Sequence, residues 1–332
     1  MSDRVPPRPT LRVRADDAEY QRLARAEAEF WSSPRPFSLE SIEDELEPGP
    51  SEWHNNERYT GNRRTTWQDT IPRYGTFRRG LVLGTSCLTD EAKILAQNPM
   101  LHATFLDISE GALARRAEHL GRRFPGRVAT RVADFNFAEL ERDGYDLVVS
   151  SGSIHHVTNL EHLADQINRA LTPDGHFFLQ DYVGERRFDF SPEKRRLFEI
   201  VYERDLARQR GRRSGLIWHD ASDLSPFCGV RSDDVLPVLH TTLALQRVRT
   251  AGTLLVPLMR SRPVDADQLL VMAARRHPVL ARLRRLRLPG AKRARVQMAK
   301  EFWRELITVG DLVADAGLLL PGTAFAVYRK RG

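Results

Sequence analysis

Acidic and small side chains recur in the middle of this chain directly after short apolar runs, in a pattern suited to binding a nucleoside. Asp107 follows one run, and its carboxylate can accept hydrogen bonds from both hydroxyls of a ribose. Asp134 and Phe135 follow the next run and offer a carboxylate for the exocyclic amine and a ring for the face of an adenine. Upstream, the small-residue turn at 84–87 opens a helix whose free N–H groups suit a polar or anionic ligand group.

A fourth apolar run ends in Ser150 and Ser151 and is followed by Gly152, where the backbone can approach a ligand closely. His155 and His156 come next. Each feature alone has a structural alternative, because aspartates after strands also cap helices and histidines also serve as caps or surface residues. Their joint occurrence in this order favours a binding site.

The elements that must position these residues follow from the regular alternation of apolar runs and amphipathic stretches between Gly80 and Val183. This alternation predicts βαβ crossovers and a parallel sheet, with ligands bound outside the carboxyl ends of the strands. The predicted strands are Gly80–Gly84, Ala103–Asp107, Arg127–Ala133, Asp146–Ser151 and His176–Tyr182, and the predicted helices are Thr89–Gln97, Ser109–Phe124, Phe137–Arg142 and Leu160–Leu171.

The flanking regions are less regular. A helix is predicted over Asp16–Trp31, and the polar, aromatic segment Trp53–Trp67 is interpreted as a lid or connector. Further helices are predicted over Pro192–Arg208 and Ala299–Ala316, and a last strand at Thr323–Arg329. The chain is predicted to have four divisions: an N-terminal helical lid 1–76, a core 77–260 with a substrate-facing insert after 184, a basic helical insertion 261–300, and a final helix and strand 301–332.

The composition is that of a soluble globular protein, with 332 residues, of which 41% are hydrophobic and 29% charged. No apolar run is long enough to span a bilayer and no secretory signal is visible, so we expect a cytoplasmic location. Cys87 and Cys228 are the only cysteines, so cysteine alone supplies neither a disulfide framework nor a zinc site, and no metal is expected.

The net charge of +7 comes almost entirely from arginine. A GC-rich coding bias would produce this excess without any ligand, whereas an acidic partner would also explain it. The basic run 275–295 has the same two interpretations, a solvated helix face or a docking site for an acidic carrier, nucleotide sugar or nucleic acid. No stacked aromatic pattern accompanies these arginines, so a nucleic-acid partner is not expected.

The stretch from Arg79 to Val183 resembles the class I S-adenosylmethionine-dependent methyltransferases. Its motifs FLDIS (105–109), VADFN (132–136), YDLVVSSGSIHHV (145–157) and NLEHLADQINRALTPDGHFFLQDYVG (159–184) are similar to those at the second to fifth strands of that family. The later stretches DYVGERRFDFSPEK, RSDDVLP and GLLLPGTAFAVYRK resemble a bacterial small-molecule or natural-product subgroup. The resemblance implies a Rossmann-like α/β fold: a mostly parallel seven-stranded sheet with helices on both faces, an N-terminal helical lid and a C-terminal helical insertion.

The resemblance also implies a site and a reaction. S-adenosylmethionine is the expected cofactor, and its methyl group would be attacked in line by an oxygen, nitrogen or carbon of a small acceptor, with O- or N-methylation favoured. His155 and His156 are the expected catalytic residues, since a base helps if the acceptor is a hydroxyl. The expected cofactor-binding residues are Gly84, Thr85, Ser86, Asp107, Ile108, Asp134, Phe135, Ser151 and Gly152.

One motif departs from the family. Val82 stands where the first motif normally has an acidic residue, and Ser86 and Leu88 stand where further glycines would let the backbone approach the cofactor. The alternative is therefore a weakly active or inactive protein that uses the fold for binding or as a scaffold. An RNA methyltransferase and a dinucleotide-dependent oxidoreductase are disfavoured, the latter because G-x-G-x-x-G is absent. A homodimer is left open.

Overall fold

The computed structural model describes residues 13–32, 50–85, 88–200, 224–254, 257 and 307–332. Within this part of the chain, seven strands form one sheet in the order β3-β2-β1-β4-β5-β7-β6. The first five strands pair in parallel, and β7 runs antiparallel to both of its neighbours. The strands are β1 (Arg79–Leu83), β2 (His102–Asp107), β3 (Val128–Val132), β4 (Tyr145–Ser151), β5 (Leu171–Tyr182), β6 (Ala244–Ala251) and β7 (Thr323–Arg329). The predicted mostly parallel, seven-stranded α/β sheet is confirmed.

Helices cover both faces of the sheet, as the alternating side chains of the central strands require. On β4, Val148 belongs to one hydrophobic cluster while Leu147 and Val149 belong to the other. Among the described residues, the helices are α1 (Ala18–Ser32), α2 (Pro50–Thr60), α3 (Leu88–Gln97), α4 (Glu110–Arg123), α5 (Leu160–Ala170) and α6 (Val235–Thr242), and residues 192–200 and 307–315 are also helical.

The face of α5 shows why this sequence is helical. Leu160, Leu163, Ala164 and Ile167 recur at helical spacing and are all buried in the cluster that includes Val148. Burying a leucine or isoleucine side chain contributes about 1.5–3 kcal/mol. The helix ends at Ala170, one residue before the predicted end, and the chain passes directly into β5.

The predicted helix Phe137–Arg142 is wrong. The chain makes a single turn there, in which the N–H groups of Phe137 and Ala138 both donate to the Asp134 carbonyl. The N–H of Leu140 then donates to the Gln166 side chain of α5 at 2.9 Å instead of to the preceding turn. A tertiary hydrogen bond therefore takes the place of the next helical one, and β3 connects to β4 without a helix.

The segment interpreted as a lid or connector, 53–67, is largely the helix α2. It is anchored to the β6–β7 end of the sheet, where His54 Nε2 lies 2.6 Å from Asp311 Oδ2 and the Tyr59 hydroxyl 2.6 Å from Thr323 Oγ1. The helix predicted over Asp16–Trp31 is confirmed as α1.

Some predictions fall outside the described residues: the basic insertion 261–300 with its run 275–295, most of the helix predicted over Pro192–Arg208, and residue Ser86. The last strand, Thr323–Arg329, has the predicted bounds, and the helix before it is observed at 307–315. The four predicted divisions of the chain remain a prediction. Among the described helices, none has both the length and the apolar composition to cross a membrane.

Candidate functional site

The carboxyl ends of β1 and β4 meet tightly at Gly84. Its φ is +86°, and a Cβ placed there would lie 1.9 Å from Ser153 Oγ. Only glycine therefore allows the turn after β1 to pass the turn after β4 at this distance. These are the strands between which the strand order reverses, which is where open α/β sheets bind ligands.

Asp107, at the end of β2, is buried beside this turn. Its Oδ2 accepts hydrogen bonds from the Thr85 N–H and hydroxyl, and its Oδ1 accepts one from the Ser109 N–H. Burial raises the pKa of Asp107, although these hydrogen bonds oppose the shift. The next helix is capped by the Ser109 hydroxyl, so Asp107 is not its cap. Ile108, next in the chain, is half-buried.

Asp134, after β3, is held by a residue of α1. Its Oδ2 accepts from the Tyr20 hydroxyl at 2.6 Å, and its Oδ1 accepts from the backbone and side-chain amides of Asn136. The Tyr20 ring is stacked on Phe227 with a centroid distance of 5.4 Å. Burial and the charge of Asp134 raise the pKa of Tyr20, so the phenol stays protonated and donates. The neighbouring Phe135 is half-buried against the core.

The segment after β4 is fixed by a carboxylate from the end of β5. The N–H groups of Ser153 and Ile154 donate to Asp181 Oδ2 at 3.1 and 2.7 Å. Ser151 donates to the Gln180 side chain. Gly152 has a φ of +60°, and no heavy atom of the described residues lies within 4 Å of a Cβ built on it. The backbone at Gly152 is therefore open to an approaching ligand.

Both histidines after β4 use Nδ1 to contact a buried carboxylate. His155 Nδ1 lies 2.5 Å from Asp181 Oδ1, and His156 Nδ1 lies 2.8 Å from Glu27 Oε1. Nε2 of His155 faces the thiol of Cys228, with the sulfur 3.7 Å away. When each Nδ1 carries a proton toward its carboxylate, Nε2 is left as the atom with the free lone pair.

Charge and hydrogen bonding alter the acidity of this cluster. Burial opposes ionisation of Cys228, but the charge of His156 and hydrogen bonds with both histidines lower the pKa of the thiol to about 6. Burial likewise opposes protonation of His156, but Cys228 and Glu27 raise its pKa to about 10. His156 and Cys228 therefore form a buried imidazolium–thiolate pair at neutral pH.

Glu27 connects α1 to the segment that carries Cys228. Its carboxylate accepts from the Trp31 indole at 2.7 Å, the Ser225 hydroxyl at 2.8 Å and the Phe227 N–H at 2.9 Å, in addition to His156. Burial disfavours its charge, but the interactions with His156 lower the pKa of Glu27 below its usual value. Helix α1 therefore covers the site and supplies an ionised carboxylate to it.

Of the residues predicted from the sequence, Gly84, Thr85, Asp107, Asp134, Ser151, Gly152 and both histidines lie at one edge of the sheet, where Ile108 and Phe135 are their chain neighbours. Tyr182, the last residue of β5, is buried, and its hydroxyl donates to the Glu185 carbonyl at 2.8 Å.

Sequence reasoning missed four residues of the site: Tyr20, Glu27, Asp181 and Cys228. Asp181 was accessible to the strand-end argument, because it is the penultimate residue of β5. The other three reach the site only through tertiary contacts. Val82, where the family has an acidic residue, is buried in the core cluster on one face of the sheet, so no carboxylate reaches the edge from that position.

A family model described as a methyltransferase domain matches residues 81–177 of this chain. Residues 81–177 are therefore similar to a methyltransferase domain. The match spans β1 to β5, the stretch in which the motifs were recognised, and it confirms the family expected from them.

Solved structures similar to this chain include a protein named as a sarcosine dimethylglycine methyltransferase, from Galdieria sulphuraria. It has 14% identity and a TM-score of 0.43, and the match covers 81% of this chain and 85% of that one. The geranyl diphosphate C-methyltransferase from Streptomyces coelicolor A3(2) has 11% identity and a TM-score of 0.45, covering 93% and 98%. No curated protein matches this chain.

Proposed function

We propose that this protein transfers the methyl group of S-adenosylmethionine to an oxygen or nitrogen of a small-molecule acceptor. The observation that carries the proposal is the buried Asp107 carboxylate at the end of β2, beside the turn that follows β1, within the stretch that matches a methyltransferase-domain model. A carboxylate has about four lone-pair positions, and three are engaged by Thr85 and Ser109, so capacity remains for a ribose hydroxyl.

The remaining cofactor residues would complete the cradle. Gly84 and Thr85 would face the methionine part, and Ser151 and Gly152 would lie beside the reacting centre, where the Gly152 backbone is open. Ile108 and Phe135 would contact the adenine. The bound cofactor supplies an electrophilic methyl group on a sulfonium, so the protein's task is to align the acceptor with it.

The adenine end has one further requirement. Asp134 Oδ2 already accepts a hydrogen bond from Tyr20, which is the bond that an adenine amine would make. The Tyr20 hydroxyl and the adenine amine would have to share Oδ2, since Asp134 Oδ1 already accepts two hydrogen bonds from Asn136, and two donors on one oxygen weaken each other's bonds. We therefore infer that α1 and the adenine compete for the same oxygen.

On the acceptor side, His155 and His156 would handle the proton of the acceptor. Asp181 orients the ring of His155, so that its Nε2 is the atom able to accept a proton. His156 is held as a cation between Glu27 and Cys228 and would position the acceptor electrostatically. Attack on the methyl group and transfer of the proton to His155 would leave a neutral methylated product.

The test is calorimetric titration with S-adenosylmethionine, followed by mass spectrometry of candidate acceptors for the gain of one methyl group. Asp107→Asn should weaken cofactor binding by about 10- to 100-fold, because a hydrogen bond to a charged group is worth about 1.5–3 kcal/mol. Asp174→Asn is the matched control, since Asp174 precedes the parallel part of β5 at the opposite edge and is 97% exposed. Equal affinities in both variants would contradict the assignment of Asp107.

The alternative is a protein that retains the fold without catalysis. Two observations favour it: the buried Val82 leaves the methionine amine without its usual carboxylate, and Tyr20 engages Asp134. Absence of cofactor binding at millimolar concentration would support this alternative.

We further propose a cytoplasmic enzyme without a nucleic-acid partner. Light scattering of the purified protein would decide between a monomer and a homodimer.

A further inference from the structure

His155, His156 and Cys228 bring three metal-ligating atoms together. One ligand atom from each lies within 4.8 Å of the others. The separation of 3.7 Å between Cys228 Sγ and His155 Nε2 is close to what a shared ion requires. A tetrahedral zinc ion with ordinary zinc–sulfur and zinc–nitrogen bonds holds such a pair about 3.5 Å apart.

The partners of the two rings favour metal binding over a chance cluster. Metal-ligating histidines almost always donate their second N–H to a carboxylate, carbonyl or water, which fixes the ring and leaves the other nitrogen for the ion. Here each ring does so toward a buried carboxylate: His155 toward Asp181, which has no exposed surface, and His156 toward Glu27, which is 4% exposed.

The charges of the site also fit a divalent cation. With neutral histidines, the buried negative groups are the Cys228 thiolate, Asp181 and Glu27. The Arg187 guanidinium, which donates to the Cys228 carbonyl at 3.3 Å, supplies one positive charge. A divalent ion would supply the other two, so the site would be electrically balanced.

We propose that His155, His156 and Cys228 bind a divalent transition-metal ion, with zinc as the best match, and leave one coordination position open to a further ligand. A thiolate with two imidazoles suits zinc or cobalt, whereas magnesium and calcium take oxygen ligands. Three protein ligands with an open fourth position are typical of zinc sites that act on a substrate, and structural zinc sites have four.

The site also gives the proposed methyl transfer a more specific acceptor. An alcohol at the open position would lose its proton more readily, because a bound cation lowers its pKa, and the proton would leave to solvent. The ion then takes over the roles proposed above for both histidines, because it uses the Nε2 lone pair of His155 and replaces the positive charge of His156, which loses its proton on binding the metal. This consequence rests on the proposed function, but metal binding itself does not.

Cobalt is the probe for the test, because thiolate ligation gives it a charge-transfer absorption band. The full chain, free of any histidine tag and stripped with a chelator, is titrated with Co²⁺ without cofactor or acceptor. We expect one equivalent to bind with a thiolate band, and Zn²⁺ to displace it. Cys228→Ser should lose the band, whereas Cys87→Ser, which changes the only other cysteine, should keep it.

The carboxylate partners give a second measurement. Glu27→Gln should keep the thiolate band but weaken cobalt binding by about 10- to 100-fold, the usual effect of removing a partner that orients a ligand. A third measurement needs no variant: Zn²⁺ should slow alkylation of Cys228 in the unaltered protein, as located by peptide mass spectrometry, without slowing that of Cys87.

No thiolate band at millimolar Co²⁺, an undiminished band in Cys228→Ser, or alkylation of Cys228 that Zn²⁺ does not slow would each overturn the proposal, and the cluster would then be a hydrogen-bonded network only. Since no cofactor is present in these assays, their failure leaves the test of S-adenosylmethionine binding unaffected.

Discussion

Replacement of Tyr20 by phenylalanine removes the phenol hydroxyl that α1 brings to the cofactor site. The ring contacts of Tyr20 with Phe227, at 5.4 Å, and with Phe137, at 5.2 Å, need no hydroxyl and should be kept. Asp134 loses its 2.6 Å hydrogen bond from the phenol, while both of its bonds from Asn136 remain. The variant therefore frees Asp134 Oδ2, and it also removes the 2.8 Å hydrogen bond that Asn136 Nδ2 donates to the phenol.

The expected effect follows from the strength of that bond. A hydrogen bond to a buried carboxylate is worth about 1.5–3 kcal/mol. If the adenine must displace it, Tyr20→Phe should tighten S-adenosylmethionine binding by up to about 10- to 100-fold, while lowering the free energy of unfolding of the cofactor-free protein by a similar energy. Calorimetric titration and urea denaturation measure the two quantities.

The control for this experiment is Tyr145→Phe, the same chemical change at the first residue of β4, on the opposite edge of the sheet. It should leave cofactor affinity unchanged. If Tyr20→Phe instead weakens cofactor binding, the phenol is a cofactor ligand rather than a competitor, and the inferred exchange between α1 and adenine is wrong.

Two further predictions concern stability. Hydrogen bonds from His54 and the Thr253 N–H hold the pKa of Asp311 below its ordinary value of 3.8, although burial acts in the opposite direction. Asp311 therefore stabilises the fold above pH 3.8, and this contribution is lost as the pH falls through the lower folded-state pKa. Asp311→Asn should lower the free energy of unfolding by about 2–3 kcal/mol at neutral pH and should make that free energy fall less steeply in acid. Urea denaturation from about pH 7 down to about pH 3 measures both effects, and an unchanged dependence on pH would contradict the prediction. The Tyr328 hydroxyl is buried and has no hydrogen-bond partner among the described residues. Tyr328→Phe should therefore raise the free energy of unfolding by about 1 kcal/mol. A loss of stability in the variant would show that the hydroxyl does make a hydrogen bond.

The part of the site that was predictable from sequence follows from a local rule. Asp107 and Asp134 end or follow strands that sequence patterning identifies, and parallel strands bring their carboxyl ends to one edge. The same rule covers Asp181, because this residue lies at the carboxyl end of the fifth strand of the sequence pattern.

The rest of the site depends on contacts between distant parts of the chain. Tyr20 meets Asp134 across 114 residues, and Glu27 meets His156 across 129. A helix pattern shows that α1 is amphipathic, but it does not show which strand end the helix covers. Cys228 was set aside because two cysteines alone make no metal site, whereas its partners here are histidines. The helix predicted over Phe137–Arg142 failed for a related reason, since a side chain of α5 takes the hydrogen bond of Leu140.

The position of β7 has a consequence for the order of events during synthesis. This strand lies between β5 and β6, and its residues Ala324–Tyr328 are fully buried. β6 pairs with no other strand of the described sheet, so it has no partner until the segment 252–322 and then β7 have left the ribosome. Until then, the backbone groups of β5 that pair with β7 have no partner strand, and the apolar side chains of β5 lie beside this open edge. A ribosome paused within 252–322 would therefore hold a nascent chain with an open edge strand, which is the form most exposed to aggregation and to capture by chaperones.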